Sequence, residues 1–323
     1  MKTIDHFGAK FRYLDLRPWQ ARAQEYLGDI DPGRRYRVQA PMGAGKTRVV
    51  IQAAFKWLRK SNRNVVIFCA PSVAVTKQVE KEFTENCTVP AYLSGNSIQA
   101  PLGARVVFCT HSKLQVLINP ANPHNYAKNY NAKDLLLIFI ECHHDNYYAV
   151  ANQYATREFC TVIGESASPW TRACEDYYDE DAFVYKLTEA QRDGVICSHR
   201  FSYGEPKRHE LREYAISYQP SIRGETRQQD AHIHYDMDAE DIRKIINRWK
   251  DGKINPIRVC GMLTEGFDSP YTQDVILKES ASLVLTYQCF GRGLRAAQGK
   301  DFVCWIKSDD IARTLNKAIE KAG

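Results

Sequence analysis

The stretch APMGAGKT at residues 40–47 decides how the rest of this sequence is interpreted. It follows an apolar run and precedes a helical pattern, which is the strand–loop–helix setting that a phosphate-binding P-loop requires. Its small residues let main-chain N–H groups surround phosphate oxygens, and the start of the helix adds positive charge. Lys46 is expected to reach the β- and γ-phosphates, and the Thr47 hydroxyl is expected to bind Mg²⁺. The residues predicted to hold a nucleoside triphosphate, most simply ATP, are Gly43, Ala44, Gly45, Lys46 and Thr47.

Length, composition and charge set wide bounds on the protein. The chain has 323 residues, which suits two domains, and 44% of them are hydrophobic, enough for packed cores. A net charge of +6 is compatible with a polyanionic partner and equally with a solvated basic surface. The ten cysteines form no Cys-x-x-Cys pair and several stand singly in apolar runs, as expected in a reducing compartment.

The sequence predicts no contact with a membrane. Residues 1–10 lack the apolar core of a signal peptide, and no uninterrupted apolar stretch approaches the roughly 18 residues that a membrane span needs. We therefore expect a soluble, cytoplasmic protein.

Short apolar runs alternate with helical patterns through the first half, which predicts a parallel sheet covered on both faces. The second half repeats the pattern more weakly, and a helical stripe from Ile242 to Trp249 should end near Gly252. The predicted strands are 36–40, 64–70, 105–110, 135–141, 161–167, 183–187, 213–218, 232–235, 257–261, 274–277 and 302–306. We expect one domain over 1–170, a polar linker over 171–184 and a second domain over 185–323, with a helix over 283–295.

Further short blocks occur in a fixed order around the P-loop. LRPWQ precedes it at residues 16–20, and APS, CTHS, IECH and SASP follow four successive predicted strands. Much later come GMLTEGFD at 261–268 and QCFGRGLR at 288–295. This order resembles that of the superfamily 2 helicases, specifically the DExH group that includes the helicase subunits of type III restriction enzymes. The resemblance covers nearly the whole chain, and the block at 288–295 is its most specific part.

The resemblance implies an α/β fold of two tandem RecA-like domains with ATP and Mg²⁺ between them. It implies catalytic roles for Lys46, Glu141, Arg292 and Arg295, and Mg²⁺ binding by Thr47 and Glu141. It implies nucleotide contacts for Gln20, Arg17, Gly266 and Asp268, nucleic-acid contacts for Pro71, Thr110 and Thr264, and coupling roles for Ser166, Ser168 and Gln288. Arg292 and Arg295 would lie one helical turn apart and supply positive charge to the γ-phosphate. The partner implied is nucleic acid, DNA rather than RNA, and a partner nuclease or other subunit is compatible with the family.

Two features depart from the family pattern. The fourth-strand block of the family is Asp-Glu-x-His, but the Asp position here holds Ile140, which should weaken Mg²⁺ binding or hydrolysis. Asp145 lies past the predicted strand end and is not expected to substitute for it. The second domain also looks shortened, because residues 201–230 form a highly charged stretch with one modest strand. Adjacent His143 and His144 do not have zinc-site spacing.

Three functions stay open at this point. The first is an ATP-dependent helicase or translocase that hydrolyses ATP between its two domains. The second is an ATP-binding and nucleic-acid-binding relative with weak or no hydrolysis, suggested by Ile140. An unrelated P-loop enzyme such as a kinase is the third, and it would leave the block at 288–295 unexplained.

Overall fold

The computed structural model describes residues 3–12, 14–94, 103–119, 121–122, 126–154, 160–179, 181–218, 232–234, 237–260, 271–278, 282–296 and 300–323, without the side chains of residues 152–154 and 239. The chain divides into two compact units. Unit 1 comprises Met1–Ala40 and Gly45–Tyr185, and unit 2 comprises Pro41–Ala44 and Lys186–Gly323.

Unit 1 contains nine strands and six α-helices among the described residues. The strands are β1 (Thr3–His6), β2 (Ala9–Arg12), β3 (Arg35–Gln39), β4 (Val65–Ala70), β5 (Ala91–Leu93), β6 (Val106–Thr110), β7 (Leu135–Ile140), β8 (Thr161–Ser166) and β9 (Phe183–Val184). The helices are α1 (Pro18–Leu27), α2 (Lys46–Lys60), α3 (Val73–Thr84), α4 (His111–Ile118), α5 (Asp145–Tyr154) and α6 (Arg172–Tyr177). β1 and β2 form a separate antiparallel pair.

The other seven strands of unit 1 form one sheet in the order β5-β6-β4-β7-β8-β3-β9, with every pair parallel. All residues of β4, β7 and β8 are buried, as expected for a parallel sheet covered on both faces. Because parallel strands run in one direction, the loops that follow β3, β4, β6, β7 and β8 emerge at the same edge. That edge carries the P-loop and the short sequence blocks that follow the strands of unit 1.

Among the residues that the structure describes, unit 2 contains a second sheet of six strands whose pairs are also parallel, in the order β10-β15-β14-β11-β13-β12. Its strands are β10 (His199–Tyr203), β11 (Ile216–Tyr218), β12 (His232–His234), β13 (Ile257–Cys260), β14 (Asp274–Leu277) and β15 (Phe302–Ile306). Its helices are α7 (Leu187–Arg192), α8 (Ala239–Lys250), α9 (Leu283–Gly291) and α10 (Asp309–Ala322). The prediction of two mostly parallel sheets flanked by helices is therefore confirmed.

Residues 171–184 are not a free linker. α6 lies in this segment and buries Cys174 and Tyr177, while β9 pairs with β3 at the edge of the first sheet. Phe183–Leu187, expected to begin the second domain, therefore contributes its strand to unit 1. The segment looked like a linker because it is rich in Asp, Glu and Tyr. The tyrosines are buried in the core of unit 1, however, and composition alone does not report this.

Two further expectations need correction in unit 2. The charged stretch 201–230 contains most of β10 as well as β11, so it holds one strand more than predicted; residues 219–231 lie outside the described part. The helix expected over 283–295 ends at Gly291. Gly293 packs so closely on β15 that a Cβ there would lie 1.9 Å from Phe302 Cε2, so only glycine fits this turn.

A buried ion pair joins the start of β14 to the segment before β11. Asp274 is 1% exposed, and it accepts hydrogen bonds from Arg212 Nε at 3.2 Å and Nη2 at 3.1 Å. The Arg212 main-chain N–H and the Trp305 indole also donate to Asp274, each at 3.0 Å. A buried carboxylate without its cation is costly, so this pair should hold the centre of the second sheet together.

We predict that Arg212→Ala lowers the free energy of unfolding by about 3 kcal/mol, because Asp274 is left buried without its cation. Arg200→Ala is the matched control, since Arg200 pairs with Asp301 on the surface and exposed pairs contribute at most about 1 kcal/mol. Urea unfolding of both variants checks this. Small and equal decreases in the free energy of unfolding of the two variants would contradict the buried-pair interpretation.

Candidate nucleotide site

The P-loop backbone has the curvature that phosphate binding requires. Gly43 has φ +78° and Gly45 has φ +93°, both in the left-handed region that favours glycine. α2 begins directly afterwards at Lys46, and Thr47 lies half-buried in its first turn. The predicted phosphate-binding residues thus form a tight loop at a helix N-terminus, which is an anion-binding arrangement.

Gln20 on α1 forms a hydrogen bond to this loop. Its amide nitrogen donates to Gly45 O at 2.8 Å, and its amide oxygen accepts from the Arg17 main-chain N–H at 2.7 Å. Gln20 is 1% exposed, and a Cβ at Gly45 would lie 2.9 Å from its nitrogen. The structure therefore brings Arg17, Gln20 and the P-loop together, and it shows Gln20 in contact with the loop itself. An adenine contact by Gln20 stays a prediction.

The Lys46 ammonium lies between two carboxylates. Lys46 Nζ is 3.8 Å from Glu141 Oε1 and 3.8 Å from Glu165 Oε2. The lysine side chain is 8% exposed and that of Glu165 2%. Glu141 was expected here, because it follows β7, but Glu165 was not. The signal that could have revealed it is a single charged residue inside the otherwise uncharged run TVIGES of β8.

Hydrogen bonds fix the position of the Glu141 carboxylate. Ser166 Oγ donates to Glu141 Oε2 at 3.2 Å, while it lies 2.9 Å from His143 Nδ1 and accepts from the Ser168 main-chain N–H at 3.0 Å. Glu141 itself has φ +52°, which is strained for a residue with a side chain. The structure thus assembles Glu141, His143 and Ser166 into one network, and Ser168 enters it only through its main chain.

The oxygen atoms of the side chains around Lys46 are suitable ligands for Mg²⁺. Glu165 Oε2 is buried and has no hydrogen-bond partner among the described residues. Burial raises the pKa of Glu165 to about 8, against the opposing effect of Lys46, so burial disfavours the ionised carboxylate and a bound cation would favour it. Mg²⁺ commonly binds one or two carboxylates together with substrate phosphates and keeps several waters, so Thr47, Glu141 and Glu165 are an adequate protein contribution.

Ile140 ends β7 and is 2% exposed, so the position where the family has Asp is apolar and buried. Asp145 is exposed at the first turn of α5. No group of three or more His, Cys, Asp or Glu side chains that could hold a metal ion occurs in the part of the chain that the structure describes. His143 and His144 contact each other through their rings, with centroids 4.4 Å apart.

Pro71 follows β4 and Thr110 ends the neighbouring strand β6, both at the carboxyl edge of the first sheet. β4 and β6 pair with Ala70 opposite Thr110, which places the two predicted nucleic-acid contacts side by side. Ser72 caps α3 by accepting from the Val75 N–H at 3.3 Å, and Thr110 Oγ1 lies 3.1 Å from Ser112 Oγ. Hydroxyls and helix N-termini of this kind bind phosphate groups without reading base sequence.

Unit 2 carries the remaining predicted residues. Gln288 is buried in α9, and Arg292 caps the end of that helix. Arg295 lies beyond the turn and forms an isolated antiparallel bridge with Ile196, so the two arginines are not on one helix as predicted. Thr264, Gly266 and Asp268 lie outside the described residues.

Comparisons with known proteins agree with this geometry. Residues 13–169 match the family described as type III restriction enzyme, res subunit. The chain is similar to superfamily 2 helicases of the ResIII and DEAD-like type. No curated protein sequence matches it significantly. Within the described residues, no helix is both long and apolar enough to cross a bilayer.

Solved structures share the fold at low sequence identity. S. cerevisiae Dbp5 bound to RNA and ADP BeF3 aligns with a TM-score of 0.64 and 14% identity, covering 95% of this chain and 87% of Dbp5. The helicase MrfA bound to DNA and AMPPNP aligns at 0.67 and 14%, covering 95% of this chain and 51% of MrfA. The type ISP restriction-modification enzyme LlaBIII bound to DNA aligns at 0.66 and 16%, covering 92% of this chain and 28% of LlaBIII. The predicted tandem RecA-like fold is therefore confirmed.

Ser166 and Ser168 offer a matched pair of buried serines, each 0% exposed. We predict that Ser166→Ala lowers the free energy of unfolding by about 1–3 kcal/mol, because the Ser168 N–H and Glu141 lose a buried partner. Ser168 Oγ has no hydrogen-bond partner among the described residues, so Ser168→Ala should leave stability unchanged or raise it. Chemical unfolding of both variants measures the difference, and the reverse order would contradict the network.

Proposed function

We propose that this protein is an ATP-dependent nucleic-acid helicase or translocase of superfamily 2. The observation that carries the proposal is the Lys46 ammonium, which lies buried at the start of the P-loop helix beside the carboxylate of Glu141. The ResIII match over residues 13–169 and the tandem RecA-like fold support the same assignment.

The proposed chemistry assigns a separate role to each residue of the network. Lys46 would bind the β- and γ-phosphates, and the P-loop N–H groups would orient them. Glu141 would accept a proton from the attacking water, with Ser166 and His143 holding its carboxylate in place. Bound Mg²⁺ would offset phosphate charge, with Thr47 and Glu141 on its protein side. Gly266 and Asp268 are proposed to contact the nucleotide, and Ser168 and Gln288 to couple hydrolysis to domain movement.

The proposed partner is nucleic acid, DNA rather than RNA. The DNA-bound relatives MrfA and LlaBIII support DNA, whereas Dbp5 is bound to RNA, so all three substrates belong in the test. Contacts to the backbone would come from Pro71, Thr110 and Thr264. A partner nuclease or other subunit is part of the proposal, and so is a cytoplasmic location, because all ten cysteines are free thiols.

We expect Lys46→Ala to reduce ATP turnover by about 100-fold or more, because the γ-phosphate loses its cation. Lys81→Ala is the control, since the Lys81 side chain is 76% exposed on α3. Phosphate release is measured without nucleic acid and with single-stranded DNA, double-stranded DNA and RNA. If the parent binds no nucleotide, or if Lys46→Ala leaves turnover intact, the proposed function is wrong.

The second candidate is an ATP-binding and nucleic-acid-binding relative that hydrolyses slowly or not at all. Buried, apolar Ile140 favours it, because no carboxylate occupies the family's metal-orienting position. The same assay on Ile140→Asp separates the two candidates. An inert parent whose turnover is restored by Ile140→Asp supports the second, and brisk, Lys46-dependent turnover in the parent supports the first.

Arg292 and Arg295 are proposed to stabilise negative charge on the γ-phosphate during hydrolysis. We expect Arg292→Ala and Arg295→Ala each to lower turnover by about 10³-fold while ATP binding is largely retained, because such arginines act on the transition state. Arg313→Ala on α10 is the control, since that side chain is 70% exposed. Turnover and equilibrium ATP binding are measured together, and unchanged turnover would contradict the role.

A further inference from the structure

Ile140 and Glu165 are direct neighbours across the centre of the first sheet. β7 and β8 pair in parallel with Ile140 opposite Glu165, at the carboxyl ends of both strands. Residues in register on adjacent strands project from the same face of a sheet. The Glu165 side chain therefore lies beside the position where a carboxylate at residue 140 would be.

Glu165 has an environment that a purely structural residue rarely has. It is 1% exposed, and Oε2 has no hydrogen-bond partner among the described residues. Its nearest described cation is Lys46, whose Nζ is 3.8 Å from that oxygen. A buried carboxylate is costly unless charge compensates it, and a bound cation would supply compensation beyond that of Lys46.

The charges around Lys46 do not balance when both carboxyl groups that face it are ionised. One ammonium faces two carboxylates, Glu141 and Glu165, at equal distances of 3.8 Å. A triphosphate bound to Lys46 would bring further negative charge to the same place. A divalent cation is the species that removes this excess, and carboxylate oxygens together with phosphate oxygens are ligands that Mg²⁺ prefers.

We propose that Glu165 supplies the second carboxylate of a Mg²⁺–nucleotide site, in place of the carboxylate that Ile140 lacks. Glu165 orients the cation directly or through a bound water, and Glu141 stays available to accept a proton. In this arrangement the second carboxylate belongs to β8 and not to the end of β7. This inference rests on the proposed nucleotide site.

The competing explanation is that Glu165 only neutralises Lys46. The two roles differ in their effect on metal-free binding. If Glu165 holds the cation, Glu165→Gln weakens the metal and leaves metal-free nucleotide binding intact or tighter, because a negative charge beside the phosphates is removed. If it only neutralises Lys46, Glu165→Gln destabilises the fold and leaves metal affinity unchanged.

The test uses the full chain with AMPPNP as nucleotide and Mn²⁺ as the metal probe. Free Mn²⁺ is followed by electron paramagnetic resonance, nucleotide affinity is measured in EDTA, and thermal unfolding is recorded. We expect Glu165→Gln to raise the Mn²⁺ dissociation constant by about 10–100-fold. Glu82→Gln, a half-buried glutamate on α3, is the matched control and should leave it unchanged.

A swap variant, Ile140→Asp with Glu165→Leu, returns the carboxylate to β7 and should recover the Mn²⁺ affinity of the parent. An unchanged Mn²⁺ affinity in Glu165→Gln would overturn the inference, and so would a folded swap variant without recovery. In both cases metal-free AMPPNP binding by the parent would leave the proposed function standing. A parent that binds no AMPPNP would overturn both.

Discussion

The buried ammonium of Lys46 is the constraint on which the first unit depends. Its side chain is 8% exposed, so the cation needs negative partners that the fold must place within a few ångströms. Glu141 and Glu165 come from the ends of β7 and β8, which are adjacent strands of one parallel sheet. The P-loop that carries Lys46 follows β3, on the other side of β8. The strand order therefore brings residues from three distant parts of the sequence together in one charged cluster.

The network around this cluster explains the polar residues at the end of β8. Ser166 is fully buried, and its hydroxyl links Glu141, His143 and the Ser168 N–H. Replacing any partner leaves buried polar atoms unsatisfied, which ties the positions of the two strand ends to each other. Gln20 adds the same kind of link from α1 by bonding to Gly45 O. A site held in this way is preorganised before any ligand binds.

Much of the first sheet and of the P-loop was predictable, because the sequence patterns that indicate them are local. Strands β4, β6, β7 and β8 match the apolar runs within one residue, and the P-loop glycines adopt the left-handed conformation that their spacing implies. Errors arose where tertiary contacts override composition. The tyrosines of the expected linker at 171–184 are buried in unit 1, and the helix predicted over 283–295 ends at Gly291, before Gly293 packs on Phe302. Glu165 was missed because its role depends on Lys46 of α2 and on the end of β7, although a lone charged residue in β8 was a local signal.

The register of the first sheet changes the interpretation of Ile140. Along the sequence it is the loss of one carboxylate from a block of four residues. Across the sheet, Ile140 is paired with Glu165 of β8. Apart from Glu165, β8 is polar only at its two ends. An apolar residue at the end of β7 thus lies opposite a carboxyl group on β8. In the proposed metal site a carboxylate on either strand could bind the cation, provided that its oxygens lie beside the phosphates that Lys46 binds.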